Sequence, residues 1–468
     1  MKKILLLSII FCSISCNDLL DFTIVENPNL SETSVVGQPN SAAIWLTGIE
    51  RQLALFLNEI VINAEVASDN YNNDQTFYNQ FLDGLNIDPR DSDIEDIEFD
   101  LNRMREMAKF GLEQVGPGDP NYQPETEAEF IYMEGLSHLF TGMYFTGLPA
   151  SPGAAPQSAA EHYQVATTKL DAAIAINAKP EYYLAKARIN YYTGNKAEAV
   201  SAAAQAIALS PDFLRAARFD QTEGPSNTME SGLYERGSFD DLQPLPTLDF
   251  LDPKYSFNSA AEDDPVYYLK AEEAYLIQIE AAIADNDLDG AKMMMTTLLE
   301  LVNSRGKRSI DDSIEGRTHF AEGTRPNLNC VMVNGRTGLV LTRSEGNVDV
   351  ANISGTSLTA EDIAGLENAE DALYLLYRTR QEIFIAEGIR MVDMGVKLVI
   401  SLVEELQNSN VSTGGVGTIP QIPDFIDGVR MQLDEITYTP GACEASTTID
   451  LNTILVANRA SDSVLPFH

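Results

Sequence analysis

The sequence predicts a mainly α-helical fold, in which a scaffold of paired helices carries long irregular insertions. Residues 180–211 contain two stretches with apolar side chains at helical spacing, a turn signal between them and a proline at the end. Similar pairs of helical stretches recur along the chain. The hydrophobic content of 44% and the charged content of 22% are typical of a globular protein, and 468 residues are enough for a large core.

The hairpin predicted at 180–211 shows the pattern most clearly. Its first helix carries a shared face formed by Tyr183, Ala187 and Tyr191, and its second carries a face of small residues, Ala199, Ala203 and Ala206. Gly194 and Asn195 tolerate left-handed backbone angles and predict the turn, whereas Pro211 ends the second helix. The segment resembles a tetratricopeptide repeat at Gly194, Ala199, Ala206 and Pro211. Such a hairpin cannot bury its apolar face alone, so partner hairpins are expected.

Three further hairpins are predicted, which gives about four tetratricopeptide-like hairpins in all. Their helical stretches lie at 125–145 with 161–176, at 265–284 with 290–302, and at 371–388 continuing to 406. The irregular insertions at 219–264 and 304–370 are rich in Gly, Pro, Asn and Ser. We expect a few short strands in them and no regular sheet.

The first residues predict an export signal. Residues 1–15 combine two lysines, an apolar run of signal-peptide length and small residues at the end, and the run is too short to span a bilayer. Cys16 follows directly, which resembles the lipobox of bacterial lipoproteins, where cleavage exposes a cysteine for lipidation. An ordinary secreted protein cut nearby is the alternative. We expect a lipoprotein signal peptide at 1–15, a lipidated tether at 16–40 and one helical domain at 41–468.

A helix predicted from Ser41 leads to the loop that we single out as a ligand site. Apolar residues from Ile44 to Ile60 recur at helical spacing, and Trp45, the only tryptophan, is assigned to the core. The loop at 68–74 is rich in Asn and Asp, and aromatic residues follow it. A structured turn is the simplest interpretation, but such groups also suit a polyhydroxylated ligand or a calcium ion. The ligand-binding candidates are Asp69, Asn70, Tyr71 and Tyr78.

Two other acidic stretches raise the question of metal binding. Residues 91–100 form an acidic run, which we interpret as a solvated face leading into a helix at 101–115. Residues 285–290 match the start of an EF-hand loop, but Thr296 stands where a bidentate glutamate would close the site. We therefore predict a turn between helices there. No metal or other cofactor is expected, and a structural calcium ion is the alternative.

The charge balance argues against nucleic acid as a partner. The chain carries 70 acidic and 31 basic residues, a formal net charge of −39, whereas nucleic-acid-binding proteins normally show a basic patch. None of the four histidines (His138, His162, His319 and His468) is spaced as a metal pair, and no nucleophile elbow or phosphate loop indicates an enzyme. Four cysteines make no disulfide framework, so the pairing of Cys330 with Cys443 stays open.

The segment 377–397 combines an apolar face with a dense set of charges at helical spacing: Arg378, Arg380, Glu382, Glu387, Arg390 and Asp393. In an acidic chain short of cations, three arginines there predict internal ion pairs that hold the segment to its neighbours. Glu382 and Glu387 lie five residues apart and point in different directions on one helix. We therefore do not interpret them as the carboxylate pair of a glycosidase.

At this segment the chain resembles the SusD/RagB family of Bacteroidetes outer-membrane lipoproteins. The likeness lies in Arg380, Glu382, Glu387, Gly388, Arg390 and Asp393, which match that family's Arg-Arg-x-Glu-Leu, Glu-Gly-His-Arg and Phe-Asp signature. Ile389 and Val392 depart from it, since a histidine and an aromatic residue are commoner there. Further likenesses follow in the right order at 15–21, 65–70, 127–149 and 450–452.

The resemblance implies a SusD-like helical fold with four tetratricopeptide-like hairpins, lipid attachment at Cys16 and exposure on the outer membrane. It also implies a SusC-like TonB-dependent transporter as partner. The chain would then capture a glycan or another nutrient and act as a lid over that transporter, without being an enzyme. Ligand residues are poorly shared in the family, so none is carried over. The alternatives are a repeat scaffold that binds only protein partners and a surface hydrolase.

Overall fold

The structure is a computed structural model that describes residues 36–73, 79–222, 224–234, 242–256, 262–311, 326–342, 346–463 and 465–467. The predicted signal peptide and Cys16 lie outside the described residues, as do Tyr78, His319 and His468. The first described helix begins at Ser41.

A mainly α-helical fold is confirmed. The α-helices of the described residues are α1 (Ser41–Val66), α2 (Gln80–Asp83), α3 (Ser92–Phe110), α4 (Gly116–Gly118), α5 (Pro124–Tyr144), α6 (Ala159–Ile176), α7 (Pro180–Tyr192), α8 (Lys196–Leu209), α9 (Thr228–Leu233), α10 (Ala271–Ala284), α11 (Leu288–Ser304), α12 (Ala360–Ala364), α13 (Ala369–Phe384), α14 (Arg390–Asp393), α15 (Leu402–Gln407), α16 (Asp424–Asp427) and α17 (Leu451–Ala457). A π-helical turn, Gly111–Val115, continues α3, and 3-10 turns lie at Asp249–Leu251 and Arg430–Gln432.

Three of the predicted hairpins are present as packed helix pairs: α5 with α6, α7 with α8, and α10 with α11. In α8 the small residues Ala199, Ala203 and Ala206 are fully buried, so the backbones can approach closely. Gly194 makes the preceding turn with a φ of 72°, a backbone angle that favours glycine. Successive pairs also touch, since α8 packs against α10. The helix α5 lies in the middle, buried all round from Ala128 to Tyr144, because its sequence is apolar on every side.

The fourth hairpin differs from its prediction. The helix α13 is present, but it ends at Phe384, and the chain then passes through Ala386 and Gly388 at φ values of 59° and 74°. Only the single turn α14 follows before α15, so no long second helix runs to residue 406. The left-handed backbone angles break the helical hydrogen-bond ladder there. A different fourth pair of long helices, α1 with α3, packs against α5 instead.

Two other helices begin at residues different from those predicted. The stretch expected to start a helix at residue 265 begins as the strand Val266–Lys270, which pairs with Leu214–Ala217. The helix expected at 101–115 begins earlier, at Ser92, so most of the acidic run lies inside α3; Asp91 caps this helix by accepting a hydrogen bond from the amide of Asp93 at 3.0 Å. The interpretation of this run as a solvated face was wrong for Glu98, which is only 3% exposed.

The strands of the described residues are short: β1 (Tyr71–Asn72), β2 (Gly147–Pro149), β3 (Pro156–Ser158), β4 (Leu214–Ala217), β5 (Gln243–Pro244), β6 (Val266–Lys270), β7 (Arg308–Asp311), β8 (Met332–Val333), β9 (Asn347–Val350), β10 (Ile436–Tyr438) and β11 (Glu444–Thr447). They form antiparallel pairs β1–β5, β2–β3, β4–β6 and β7–β9, and one mixed sheet in the order β10–β11–β8. A disulfide between Cys330 and Cys443, with Cα atoms 5.2 Å apart, joins the chain beside β8 and β11.

Three smaller predictions can also be compared with the structure. Trp45 is half-buried, packs 5.2 Å from the ring of Phe110 and donates its indole N–H to the carbonyl of Met107 at 2.8 Å. The EF-hand-like stretch is a turn, in which Asp287 accepts from the amide of Gly290 at 2.9 Å and caps α11. Ile44, placed on the apolar face of α1, is 71% exposed. Within the described ranges, no helix combines the length and the apolar character needed to cross a bilayer.

Candidate functional site

The residues 380–393 lie at the centre of a buried polar network, which we call the signature network. It begins where α13 ends, because the backbone amides of Glu387 and Gly388 leave the helix and donate to Glu65 Oε1 at 3.1 and 2.8 Å. Gly388 also approaches α1 closely, since a Cβ built on it would lie 3.3 Å from Val61 Cα. A side chain is therefore disfavoured there both by φ and by space.

Two arginine–aspartate pairs hold the segment in place. Arg380 donates to both carboxylate oxygens of Asp393 at 2.7 and 3.0 Å. Arg390 does the same to Asp69 at 2.6 and 2.8 Å, and its third nitrogen donates to Asn452 at 3.0 Å. All four charged side chains are at least 94% buried. Forked geometry of this kind offsets much of the cost of desolvating two charges, and it confirms the ion pairs predicted for this segment.

The fourth carboxylate of the network, Glu387, is shared by two lysines. Lys254 and Lys270 lie 2.5 and 2.6 Å from Glu387 Oε1, and both are buried. Burial lowers the pKa of Lys254 to about 8, against the opposing attraction of Glu387. Burial likewise raises the pKa of Glu65 to about 7, although hydrogen bonds from Asn70 and from the amide of Gly388 oppose the rise. The network thus ties α1, β6 and the end of α13 together.

Glu382 is engaged in a separate set of contacts. Its Oε2 accepts from Thr356 Oγ1 at 2.7 Å and from the amide of Ser357 at 2.8 Å. Since Glu387 faces the two lysines, the two glutamates serve different neighbours, in agreement with our rejection of a glycosidase pair.

The loop singled out as a ligand site packs against this network. Asp69 is 4% exposed, and Asn70 and Tyr71 are fully buried. Asn70 donates to Glu65 Oε2 at 2.7 Å, and the amide of Gln381 donates to both Asp69 and Asn70 at 3.1 and 3.0 Å. The described members of the candidate set therefore bind other parts of the protein. Their contact with a ligand stays a prediction.

Asp69 nevertheless reaches the wall of a polar pocket of about 140 Å³, which lies between α13, α17 and four other segments of the chain. Its charged and hydroxyl-bearing lining residues include Arg336, Tyr374, Arg378 and Asp450. Tyr374 donates its hydroxyl to Asp450 at 2.7 Å, and Arg378 lies 3.3 Å from Asp362. Guanidinium donors and carboxylate acceptors alternate here, an arrangement that can hydrogen-bond a neutral polar ligand. Sequence reasoning missed Arg336, Tyr374 and Asp450 as a group, because they come from three distant segments.

No family model matches this sequence, and no curated protein matches it. Solved structures are similar to it over most of its length. A SusD superfamily protein from Bacteroides fragilis shares 13% identity and a TM-score of 0.53, covering 81% of this chain and 100% of the other. A SusD superfamily protein from Parabacteroides distasonis shares 12% identity and a TM-score of 0.51, covering 82% and 99%. A SusD-like carbohydrate binding protein from Bacteroides vulgatus shares 12% identity and a TM-score of 0.52, covering 76% and 83%.

The chain has the SusD fold. The fold implied by the resemblance of residues 380–393 is thereby confirmed, although sequence identity is low throughout. In this SusD fold the signature residues are internal, so they position helices and loops and do not face solvent.

Two histidines far apart in the sequence meet inside the SusD fold, which the spacing of the histidines did not predict. Nδ1 of His138 lies 2.7 Å from Nδ1 of His162, and Nε2 of His162 lies 2.8 Å from the carbonyl oxygen of Leu148. His162 therefore carries its proton on Nε2, and His138 donates between the rings. Burial lowers the pKa of His138 to about 2 and that of His162 to about 4. Both rings are neutral at pH 7, and no third metal-ligating side chain joins them among the described residues.

Proposed function

We propose that this chain is a cell-surface lipoprotein that binds a nutrient, foremost an oligosaccharide or polysaccharide, and delivers it to a SusC-like TonB-dependent outer-membrane transporter. The observation that carries the proposal is the SusD fold, shared over 81% of this chain with the whole of a SusD superfamily protein. One structure of that fold is described as carbohydrate binding, which favours a glycan as the ligand.

Two sequence features support the surface location. The run of residues 1–15 followed by Cys16 supports export and lipidation, and several acyl chains on one cysteine suffice for stable membrane anchoring. The net charge of −39 suits a salty exterior, in which self-repulsion is screened.

We also propose that the chain is a binding protein and not an enzyme. The polar side chains of the signature network are engaged in ion pairs, and the histidine pair is buried and neutral, so neither supplies a positioned nucleophile with its base. A scaffold that binds only proteins remains the second candidate, because stacked helix pairs of this kind often serve that purpose.

Co-purification tests the transporter. The full-length chain is tagged, isolated from the outer membrane of the cell that encodes it, and analysed for a large barrel protein. A polysaccharide array with the same preparation tests the ligand. Binding on the array together with a co-purified barrel supports the proposal. A co-purified barrel without any glycan binding favours the protein scaffold. The proposal is refuted if no barrel co-purifies and no glycan binds. Cys16→Ser should move the protein from the membrane fraction to the soluble fraction.

A further inference from the structure

A second pocket, which shares no lining residue with the signature network, lies between α3 and α15. Its volume is about 300 Å³, which is at the lower end of the range of small-molecule sites. Its floor and walls come from α3, from the end of β2 with the loop that follows it (149–152), and from α15 with its capping residue Ser401. Phe99 is 58% exposed and Val403 is 38% exposed, so the rim offers one aromatic and one aliphatic side chain to solvent. We call it the Arg105 pocket.

Arg105 lines this pocket with open hydrogen-bonding capacity. Its side chain is 1% exposed, and Nη2 donates to Asn102 Oδ1 at 2.6 Å and to the carbonyl of Pro149 at 2.7 Å. Among the described residues, no acceptor bonds its Nε or Nη1, and the nearest carboxylate oxygen, on Glu106, is 3.9 Å from Nε. A buried guanidinium with two unbonded nitrogens is costly unless something else supplies acceptors.

Glu98, in the same pocket, has an acceptor oxygen without a hydrogen-bond donor. Its Oε2 accepts from the amide of Ser401 at 2.7 Å, whereas Oε1 has no donor within the described part of the chain. Burial raises the pKa of Glu98 to about 7. The pocket therefore combines unmet donors on Arg105 with an unmet acceptor on Glu98, beneath an exposed aromatic rim.

The charges decide which ligand fits. Four carboxylates line the pocket (Glu95, Glu98, Glu106 and Glu404) against two guanidinium groups (Arg103 and Arg105). An anionic ligand meets net repulsion, and an ammonium ligand supplies no acceptor to Arg105. A neutral polyol can accept hydrogen bonds from Arg105 and donate one to Glu98, since each hydroxyl both donates and accepts. The apolar face of a sugar ring can in addition pack on Phe99.

We propose that the Arg105 pocket is a binding site for a neutral pyranose unit, with Phe99 packing on the ring and Arg105 and Glu98 bonding its hydroxyls. This inference rests on the proposed function, because it assigns the glycan a place on the chain. The open nitrogens of Arg105 and Oε1 of Glu98 are all covered from solvent. The proposed binding therefore includes a rotamer change of both side chains towards the ligand.

Calorimetry on the full-length chain in detergent tests the site with maltose, cellobiose and xylobiose as probes, and with digalacturonic acid as their anionic counterpart. We expect at least one neutral probe to bind, and digalacturonic acid to bind about tenfold more weakly or not at all. Phe99→Ala should weaken binding about tenfold, and Glu98→Gln about fivefold or more. The matched control is Phe81→Ala, since Phe81 is also strongly exposed, at 70%, but lies on α2.

The Phe99→Ala variant keeps the test decisive even if Glu98→Gln alters folding, because Phe99 is 58% exposed whereas Glu98 is buried. Unchanged affinity in both Phe99→Ala and Glu98→Gln overturns the site, as does a loss confined to Phe81→Ala. Tighter binding of digalacturonic acid overturns the ligand class. Absence of binding by every neutral probe also overturns the site. The proposed function falls only if the polysaccharide array and the co-purification fail as well.

Discussion

Arg390 and Arg105 are both buried guanidiniums, yet their surroundings differ. Arg390 uses all three nitrogens, two on Asp69 and one on Asn452. Arg105 uses one nitrogen, and no carboxylate oxygen lies within hydrogen-bond distance of the others in the described chain. Burial acts to lower the pKa of Arg390, but Asp69 more than offsets it and the pKa is raised. Burial lowers the pKa of Arg105 to about 10.

The difference separates a structural site from a candidate ligand site. A guanidinium whose bonds are complete within the protein stabilises the fold and has little left for a ligand. One that is buried and incomplete destabilises the fold and retains donors to which a ligand can bind. Such a deficit calls for an explanation, and a ligand that completes the missing bonds is one. The predictions below test this contrast.

The largest effect is expected in the signature network. Arg390→Met leaves Asp69 buried without its cation, so we expect the free energy of unfolding to fall by about 3–5 kcal/mol. Urea unfolding followed by circular dichroism measures it. The control is Arg90→Met, which removes an ion pair with Asp88 whose side chains are 74% and 38% exposed. No measurable change is expected there. Equal losses in the two variants would contradict the assignment.

A smaller loss is expected at the backbone that shapes the network. Gly388→Ala imposes a side chain at a φ of 74° and brings its Cβ 3.3 Å from Val61 Cα. We expect a loss of roughly 2–3 kcal/mol in the free energy of unfolding. Gly335→Ala is the control, because Gly335 has a φ of 79° but nothing within 4 Å of the added Cβ. Its loss should be about 1 kcal/mol, so the difference measures the close approach to α1.

Glu98 in the Arg105 pocket should make the free energy of unfolding depend on pH. The folded pKa of Glu98 is raised to about 7, from an ordinary value of 4.5. The folded state therefore binds the extra proton, and the contribution of Glu98 to stability is full below pH 4.5 and lost as pH rises through 7. Glu98→Gln removes this titration, so the variant should gain stability relative to the wild type between pH 4.5 and 7, on the order of 1–3 kcal/mol.

Thermal unfolding of both proteins across that pH range measures the gain. A difference that is independent of pH would show that Glu98 does not titrate in this way. The histidine pair contributes with the opposite sign in both proteins, because His138 and His162 have lowered pKa values, so it cancels in the comparison.

The smallest effect on folding is expected at the pocket rim. Phe99→Ala should change the free energy of unfolding by no more than about 0.5 kcal/mol, since Phe99 is 58% exposed. Phe130→Ala is the buried counterpart, at 0% exposed, and should cost about 3–5 kcal/mol. Differential scanning calorimetry measures the loss of stability in each of these two variants. A large loss for Phe99→Ala would make the ring a packing residue and remove it from the proposed site.

Local patterns predicted much of the fold. Apolar periodicity, Gly194 and Pro211 placed the α7–α8 hairpin, and the same reasoning placed α5, α6, α10 and α11. It failed at α13, because the left-handed backbone at Ala386 and Gly388 follows from contacts with α1 that helical spacing does not encode. It also mistook buried Glu98 for a solvated residue, since glutamate side chains are rarely buried and the helix was expected to begin only at residue 101.

The sequence by itself determined that residues 380–393 form internal ion pairs, because an acidic chain with few cations gives its arginines nearby carboxylates. Only the tertiary structure decided which carboxylates these are: Arg390 finds Asp69, which lies 321 residues away. The same holds for the Arg105 pocket, whose walls come from α3, the loop after β2 and α15. Helical spacing fixes which side chains share a face, but burial and missing partners arise only when distant segments pack against that face.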